Sequence, residues 1–212
     1  MLHLFEKLDH IEIKQNKEMF EIITDWETAN SYNLLDKDNN LIGHAAERSK
    51  GVLHKIIRNI LRSHRSLIID MWDENDKHII KGERGFYFFF SDMKVVSPDE
   101  SPIGEIKTRF GIIKRKYDLI DSMGRVFARI ESPRWRLWTF KIFNRQNKEA
   151  GVITKRWGGI FNEGLTDSDQ FMVDLSEHPW NEKQKAIILF AGLCIDLDFF
   201  EDNSSSVLDL VT

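Results

Sequence analysis

The chain has 212 residues, of which 42% are hydrophobic and 30% are charged, a composition typical of a folded globular protein. Its formal net charge of −4 argues against a general nucleic-acid-binding protein. The single cysteine, Cys194, excludes an internal disulfide and a thiolate metal cluster, and therefore suits a reducing compartment.

From Glu21 to Arg145 the sequence repeats one unit, in which a strand-like run meets a polar turn and a second run follows. Asp, Asn, Ser, Pro and Gly dominate the turns because they tolerate or pre-set tight backbone angles. Serial hairpins predict an antiparallel sheet, and closure into a barrel would remove its exposed edges. The turns are predicted at Asp36–Asn40, Asp73–Lys77, Ser97–Pro102, Asp121–Gly124 and Asn144–Glu149, and Gly43, Gly104 and Gly151 each open a returning strand.

An amphipathic helix is predicted at Lys50–Arg65, where apolar residues recur with helical spacing and no acidic residue occurs. One interpretation is an interfacial helix that lies on anionic lipid. The other, which this stretch alone favours, is a helix that caps one end of the barrel with its basic face in water. The candidate lipid-binding residues of this helix are Lys50, Lys55, Arg58, Arg62 and Arg65.

Two aromatic runs have a similar double interpretation. Strand alternation in Phe86–Phe90 makes both faces apolar, so this run needs a cover from another segment, a second subunit or a membrane. In Arg134–Trp138, RWRLW, Trp and Arg adjoin, a pattern common at membrane interfaces. Core packing with outward arginines is the favoured explanation of each run taken singly. The candidate contact residues are Phe86, Phe88, Arg134, Trp135, Arg136 and Trp138.

Known catalytic signatures are missing. The seven histidines are scattered without zinc-ligand spacing, and the sequence contains no nucleophile elbow, Walker loop or dinucleotide fingerprint. We therefore predict that the protein is not an enzyme. Asp167 and Asp169 could occupy the first and third positions of a calcium loop, but Met172 and His178 replace its glycine and glutamate, which favours a turn or a helix cap.

The longest apolar passage lies near the end of the chain, at Ala186–Glu201. A transmembrane helix needs about 20 apolar residues, and a shorter apolar run more often forms a buried core helix. Asp196 and Asp198 follow the apolar part and point in roughly opposite directions on a helix, so one lipid-facing stripe cannot avoid both. The passage predicts a helix enclosed by protein, and the lumen of the barrel would accommodate it.

Five segments carry a resemblance to a known family: Leu8–Gln15, Trp26–Tyr32, Ser101–Ile106, ITKRWGGIFNEGLTDSDQF (Ile153–Phe171) and KAIILFAGLCIDLDFFE (Lys185–Glu201). They resemble the phospholipid scramblase family, which shares its fold with the tubby-like proteins. The resemblance implies a mainly β fold with helices (α+β): a tubby-like closed antiparallel barrel of about twelve strands around a buried C-terminal helix. We expect one domain over residues 1–201, with its central helix at 185–201 and a flexible tail at 202–212.

The same resemblance implies calcium-linked movement of phospholipids between leaflets, with Asp167 and Asp169 matching the calcium segment of the family, or lipid and phosphoinositide binding as in tubby-like relatives. Animal members carry a proline-rich N-terminal extension and cysteine clusters suited to acylation, which this sequence lacks. We therefore expect a bacterial or otherwise minimal member. Our hypothesis is that the basic helix and the two aromatic runs replace lipid anchors and form one membrane-facing surface.

Two functions follow from these expectations. The first is a cytoplasmic, scramblase-like protein, peripheral at the inner face of a membrane of acidic phospholipid or phosphoinositide, which helps lipid cross between leaflets. The second is a soluble tubby-like module that recognises a headgroup or a protein partner without moving lipid. Neither function requires a cofactor other than calcium, and no nucleic-acid partner is expected.

Overall fold

The structure, a computed structural model, describes residues 2–6, 8–16, 28–48, 66–86, 92–111, 114–133, 135–136, 138–156 and 170–199. A short 3-10 helix at His3–Phe5 precedes twelve strands and one long helix within this part of the chain. The strands are β1 (His10–Gln15), β2 (Thr28–Leu35), β3 (Leu41–Arg48), β4 (Leu67–Asp73), β5 (His78–Arg84), β6 (Met93–Val96), β7 (Pro102–Arg109), β8 (Lys114–Asp121), β9 (Val126–Pro133), β10 (Thr139–Asn144), β11 (Glu149–Arg156) and β12 (Gln170–Asp174), and the helix is α1 (Glu182–Phe199).

The twelve strands form a closed antiparallel barrel. Each strand pairs with its neighbours in sequence, and β1 closes the barrel by pairing with β12, where Ile11 lies opposite Val173 and Ile13 opposite Phe171. Closure leaves no strand edge unpaired, which removes the aggregation risk of an open sheet. The predicted fold, an antiparallel barrel around a C-terminal helix, is confirmed.

Five tight hairpin turns lie at one end of the barrel, which we call the turn end. In the β2–β3 turn, the Oδ1 atom of Asp36 accepts backbone N–H groups of Asp38 and Asn40, both at 2.8 Å, and Asn39 takes a left-handed φ of 62°. Asp73, Asp121 and Asn144 make the corresponding bonds in their turns. A turn followed by one left-handed residue matches the strand twist of a hairpin, so the predicted turn positions are confirmed.

The opposite end is the link end, where β1, β3, β5, β7, β9 and β11 finish. The helix enters the barrel from the turn end and runs toward the link end. Its N-terminus is a capping box, because Oδ1 of Asn181 accepts the N–H of Gln184 and Oε1 of Gln184 accepts the N–H of Asn181, each at 3.0 Å. For this reason α1 begins at Glu182, ahead of the predicted start at Lys185.

The helix fills the lumen of the barrel. Every residue of α1 from Lys185 to Leu197 is buried, as expected for a helix that is apolar on all sides. It packs against β6, β7, β8 and β12 of the wall. The prediction that protein encloses this helix is confirmed. Within the described ranges, no helix combines the length and the apolar character needed to cross a bilayer.

Two glycines of the wall allow the helix to approach closely. A Cβ atom at Gly82 would lie 2.5 Å from Cε1 of Phe190, and one at Gly104 would lie 2.4 Å from Cδ1 of Ile187. Both distances are far below van der Waals contact, so even a methyl group would displace a helix side chain. The helix and the wall are therefore fitted to one another at these two points.

We expect Gly82→Ala to destabilise the protein by about 1–3 kcal/mol, because the added methyl group meets the packed ring of Phe190. The matched control is Gly85→Ala, where no atom lies within 4 Å of the added methyl group. The control should change the free energy of unfolding by less than about 0.5 kcal/mol. Urea denaturation followed by circular dichroism measures both, and equal midpoints for the two variants would contradict the close packing of α1.

Candidate functional site

Aromatic side chains project from the link end. Phe86 follows β5, Phe110 follows β7, and Trp135 and Trp138 lie between β9 and β10. Phe110 is 75% exposed and Trp135 is 71% exposed, which is unusual for such large apolar groups. We call these four residues the aromatic rim.

The aromatic rim is confined to one end of the molecule. In the part of the chain that the structure describes, it contains every large aromatic residue that is exposed. The other exposed large apolar residues, Leu41 and Met123, lie at the turn end. Single exposed apolar residues are common on soluble proteins, but a group confined to one end indicates an interaction surface.

Basic residues accompany the aromatic rim. Arg109 pairs with Asp118, with 2.8 Å between Nε and Oδ2, and Lys114 pairs with Glu131, with 2.8 Å between Nζ and Oε2. Arg136 is exposed between the two rim tryptophans. Surface ion pairs contribute only about 0–1 kcal/mol, so these cations can exchange a carboxylate for another anion at low cost.

The structure brings several predicted contact residues to the same end. Phe86, Trp135, Arg136 and Trp138 are described and exposed there. The other predicted residues, Lys50, Lys55, Arg58, Arg62, Arg65, Phe88 and Arg134, lie outside the described residues. The strand ends that flank the predicted basic helix, Arg48 of β3 and Leu67 of β4, both lie at the link end.

Sequence reasoning missed Phe110. It directly follows Arg109, the last residue of β7, and precedes the basic residues at the start of β8. An isolated aromatic residue next to cations at a strand end was the available signal, but a single phenylalanine does not stand out in a chain with 15 of them. Only the barrel topology places it at the same end as Trp135.

A buried polar group lies inside the barrel near the link end. The hydroxyl of Tyr32 donates to Oδ2 of Asp196 at 2.8 Å, and Nζ of Lys155 lies 3.6 Å from Oδ1 of the same carboxylate. Lys155 also sits 5.1 Å from the centre of the Phe171 ring. A carboxylate near a helix C-terminus is disfavoured by the helix dipole, and the lysine and tyrosine offset this cost. The group fastens the last turns of α1 to β2 and β11.

The predicted calcium ligands, Asp167 and Asp169, lie outside the described residues. Among the residues that are described, no group of three or more His, Cys, Asp or Glu side chains is arranged to hold a metal ion. Calcium binding therefore stays a prediction from the resemblance.

A family model described as Scramblase matches residues 1–202. The chain belongs to the Scramblase family. The resemblance predicted from the sequence is thereby confirmed for nearly the whole chain.

Similar proteins of this family come from fungi and mammals. A phospholipid scramblase family protein of Schizosaccharomyces pombe is 22% identical over 227 residues, which cover 91% of this chain and 59% of that protein. Altered inheritance rate of mitochondria protein 25 of Saccharomyces cerevisiae is 22% identical, over 91% of this chain and 70% of that protein. Human phospholipid scramblase 1 is 25% identical, over 96% of this chain and 67% of that protein. The predicted bacterial origin has no support in these relatives.

The chain spans 59% of the fission-yeast relative and about two thirds of the human one. Among solved structures, a protein from Arabidopsis thaliana is similar with a TM-score of 0.49 and 9% identity, over 93% of this chain and 94% of that chain.

We expect Asp196→Asn to destabilise the protein by about 3–5 kcal/mol, because the buried ammonium of Lys155 loses the carboxylate that faces it. Tyr32→Phe removes only one hydrogen bond to the same carboxylate and should cost about 1 kcal/mol. Urea denaturation of both variants provides the comparison. If the two costs are equal, the ion pair does not fasten the helix.

Proposed function

We propose that the protein is a scramblase-like phospholipid-binding protein that attaches peripherally to acidic membranes through the aromatic rim. The observation that carries this proposal is the confinement of Phe86, Phe110, Trp135 and Trp138 to the link end. Trp is enriched where a protein meets the membrane interface, because its ring is apolar and its N–H group is polar.

The rim cations fit the same orientation. A juxtamembrane Lys or Arg near an anionic leaflet contributes about 1 kcal/mol of attraction. Lys114 and Arg136 lie at the end that carries the rim, although the chain as a whole has a net charge of −4. Electrostatic attraction would therefore orient the barrel with its link end toward acidic phospholipid or phosphoinositide. The inner face of a membrane that borders a reducing cytoplasm is the location we propose, consistent with the single buried cysteine, Cys194.

Movement of lipid between leaflets must then avoid the lumen. From Lys185 to Leu197 the helix α1 is buried in the barrel, so it cannot line a path for lipid in this conformation. We propose that the inserted rim deforms one leaflet and thereby lowers the barrier to headgroup crossing. The alternative is a tubby-like binding module that holds a headgroup without moving lipid, and the enclosed helix is the observation that favours it.

We expect Phe110→Ser combined with Trp135→Ser to reduce binding to phosphatidylserine vesicles by at least about tenfold, because fully burying one such side chain contributes about 1.5–3 kcal/mol. Leu41→Ser is the matched control, since Leu41 is 48% exposed at the opposite end and lies outside the cavity there. Vesicle flotation of the three proteins measures the bound fraction.

The control should float like the unchanged protein, and phosphatidylcholine vesicles should bind all three proteins less. If the unchanged protein stays in the buffer fraction, the rim is not a membrane contact. Equal losses in the rim and control variants would also contradict the proposal.

Lipid movement is tested separately. Proteoliposomes that contain a fluorescent phospholipid are treated with a membrane-impermeant reductant, which bleaches only the outer leaflet. We expect the protein to raise the bleached fraction above that of protein-free vesicles, and the rim variant to abolish this rise. Binding without any rise in the bleached fraction would favour the binding module over the scramblase-like role.

A further inference from the structure

A cavity of about 400 Å³ opens at the turn end, on the opposite side of the barrel from the aromatic rim. It lies where α1 enters the lumen, beside the β8–β9 and β10–β11 turns. Its volume is within the range of about 300–1,000 Å³ that is typical of small-molecule sites. None of its residues takes part in the contacts that we propose for the rim.

Apolar side chains form the floor of the cavity, beside polar groups that include His178, whose ring centre lies 4.3 Å from that of Trp180. Ile103 of β7, Phe127 of β9 and Ile187 of α1 line it and are buried. Trp180 completes the floor and is held in place by the bond from its Nε1–H to the carbonyl of Ala150, at 3.0 Å, and by an edge-on contact with the ring of Phe127. A rigid apolar floor favours a ligand with a compact apolar body.

The mouth of the cavity is positively charged. It contains Arg125 and Arg145 from two different turns and Lys183 from the first turn of α1. Among the described residues that line the cavity, Asp121 is the only carboxylate. Both arginines face it, with 2.9 Å from Nη2 of Arg125 and 3.7 Å from Nη2 of Arg145 to its Oδ2 atom. Three cations against one carboxylate leave an excess of positive charge, in a chain whose net charge is −4.

Lys183 contributes most directly to that excess. Among the described residues, no carboxylate lies within ion-pair distance of its ammonium group, whereas Arg125 is engaged by Asp121. The backbone N–H of Gln184 in the same turn is already bonded to Asn181. That N–H group is therefore not available to an anion, and the proposal below rests on the charged side chains.

We propose that this cavity binds a small molecule in which a phosphate group is attached to a compact apolar body, with Arg125, Arg145 and Lys183 contacting the phosphate. Arginine and lysine both bind phosphate, the first by paired hydrogen bonds and the second as a point charge. The assignment to a ligand free in solution rests on the proposed function, because a barrel attached to a membrane by its link end would hold this cavity in the aqueous phase. The two turns and the helix entry give the protein a second binding surface, independent of the lipid contact.

In the test, phenyl phosphate is titrated into the full chain, and its binding is monitored by two-dimensional NMR. We expect saturable shifts of the backbone signals of Arg125, Arg145 and Lys183 and of the indole N–H of Trp180. Phenyl phosphate should bind more tightly than inorganic phosphate, because only the former covers the apolar floor. Binding should also weaken as salt is added, since the charges are partly exposed.

Arg145→Gln combined with Lys183→Gln should weaken phenyl phosphate binding at least about tenfold. Lys77→Gln is the matched control, because Lys77 lies on another turn of the same end and outside the cavity. The control should bind like the unchanged protein. Absence of saturable shifts at millimolar probe, or an equal loss in the control, would overturn the proposal.

A vesicle arm distinguishes a soluble ligand from a lipid headgroup. Flotation with phosphatidic acid vesicles should be unchanged in the Arg145→Gln, Lys183→Gln variant and reduced in the Phe110→Ser, Trp135→Ser variant. Phenyl phosphate binding should show the reverse pattern. If the cavity variant loses vesicle binding instead, the cavity holds a lipid headgroup and the assignment to a soluble ligand is wrong.

Discussion

The structure depends on enclosing one helix that is apolar on every side. Exposure of any face of α1 to water would be unfavourable, because each face is apolar. The barrel therefore encloses the helix, and the absence of side chains at Gly82 and Gly104 lets the wall approach the helix surface. Both ends of the helix are also fastened by charge. Lys185 contacts Asp9 at 2.8 Å near the turn end, and Asp196 contacts Lys155 near the link end. The helix is thus held by packing along its length and by ion pairs at its two ends.

Filling the lumen leaves the two ends and the outer wall for function. The two ends differ in the side chains that they carry. At the turn end, the side chains of Asp36, Asp73, Asp121 and Asn144 accept backbone N–H groups and so stabilise the hairpin turns. At the link end, the connections after β5, β7 and β9 carry the exposed aromatic residues of the rim. One fold therefore presents an apolar rim at one end and a charged cavity at the other.

The chain belongs to the Scramblase family, and its architecture limits how it could act on lipid. A packed barrel with an enclosed helix offers lipid no interior route in this conformation, so the membrane contact that we propose is made by side chains at its surface. The strength of the proposed binding would then be determined by the apolar area of Phe110 and Trp135 that enters the lipid and by the attraction of nearby cations to anionic headgroups.

The sequence by itself determined the hairpins and the enclosed helix, because turn residues and the length of an apolar run are read from neighbours in the chain. The closed barrel of about twelve strands was an expectation from the resemblance to the scramblase family, because its closure pairs β1 with the distant β12. It also identified Trp135 and Trp138 as candidate contacts. Only the tertiary structure decided that Phe110 shares an end with them, that Tyr32 meets Asp196 across 164 residues, and that Arg125, Arg145 and Lys183 surround one cavity. These contacts depend on strand order and register, which are set by pairing and packing between distant segments. Local sequence patterns therefore do not predict which of these residues meet.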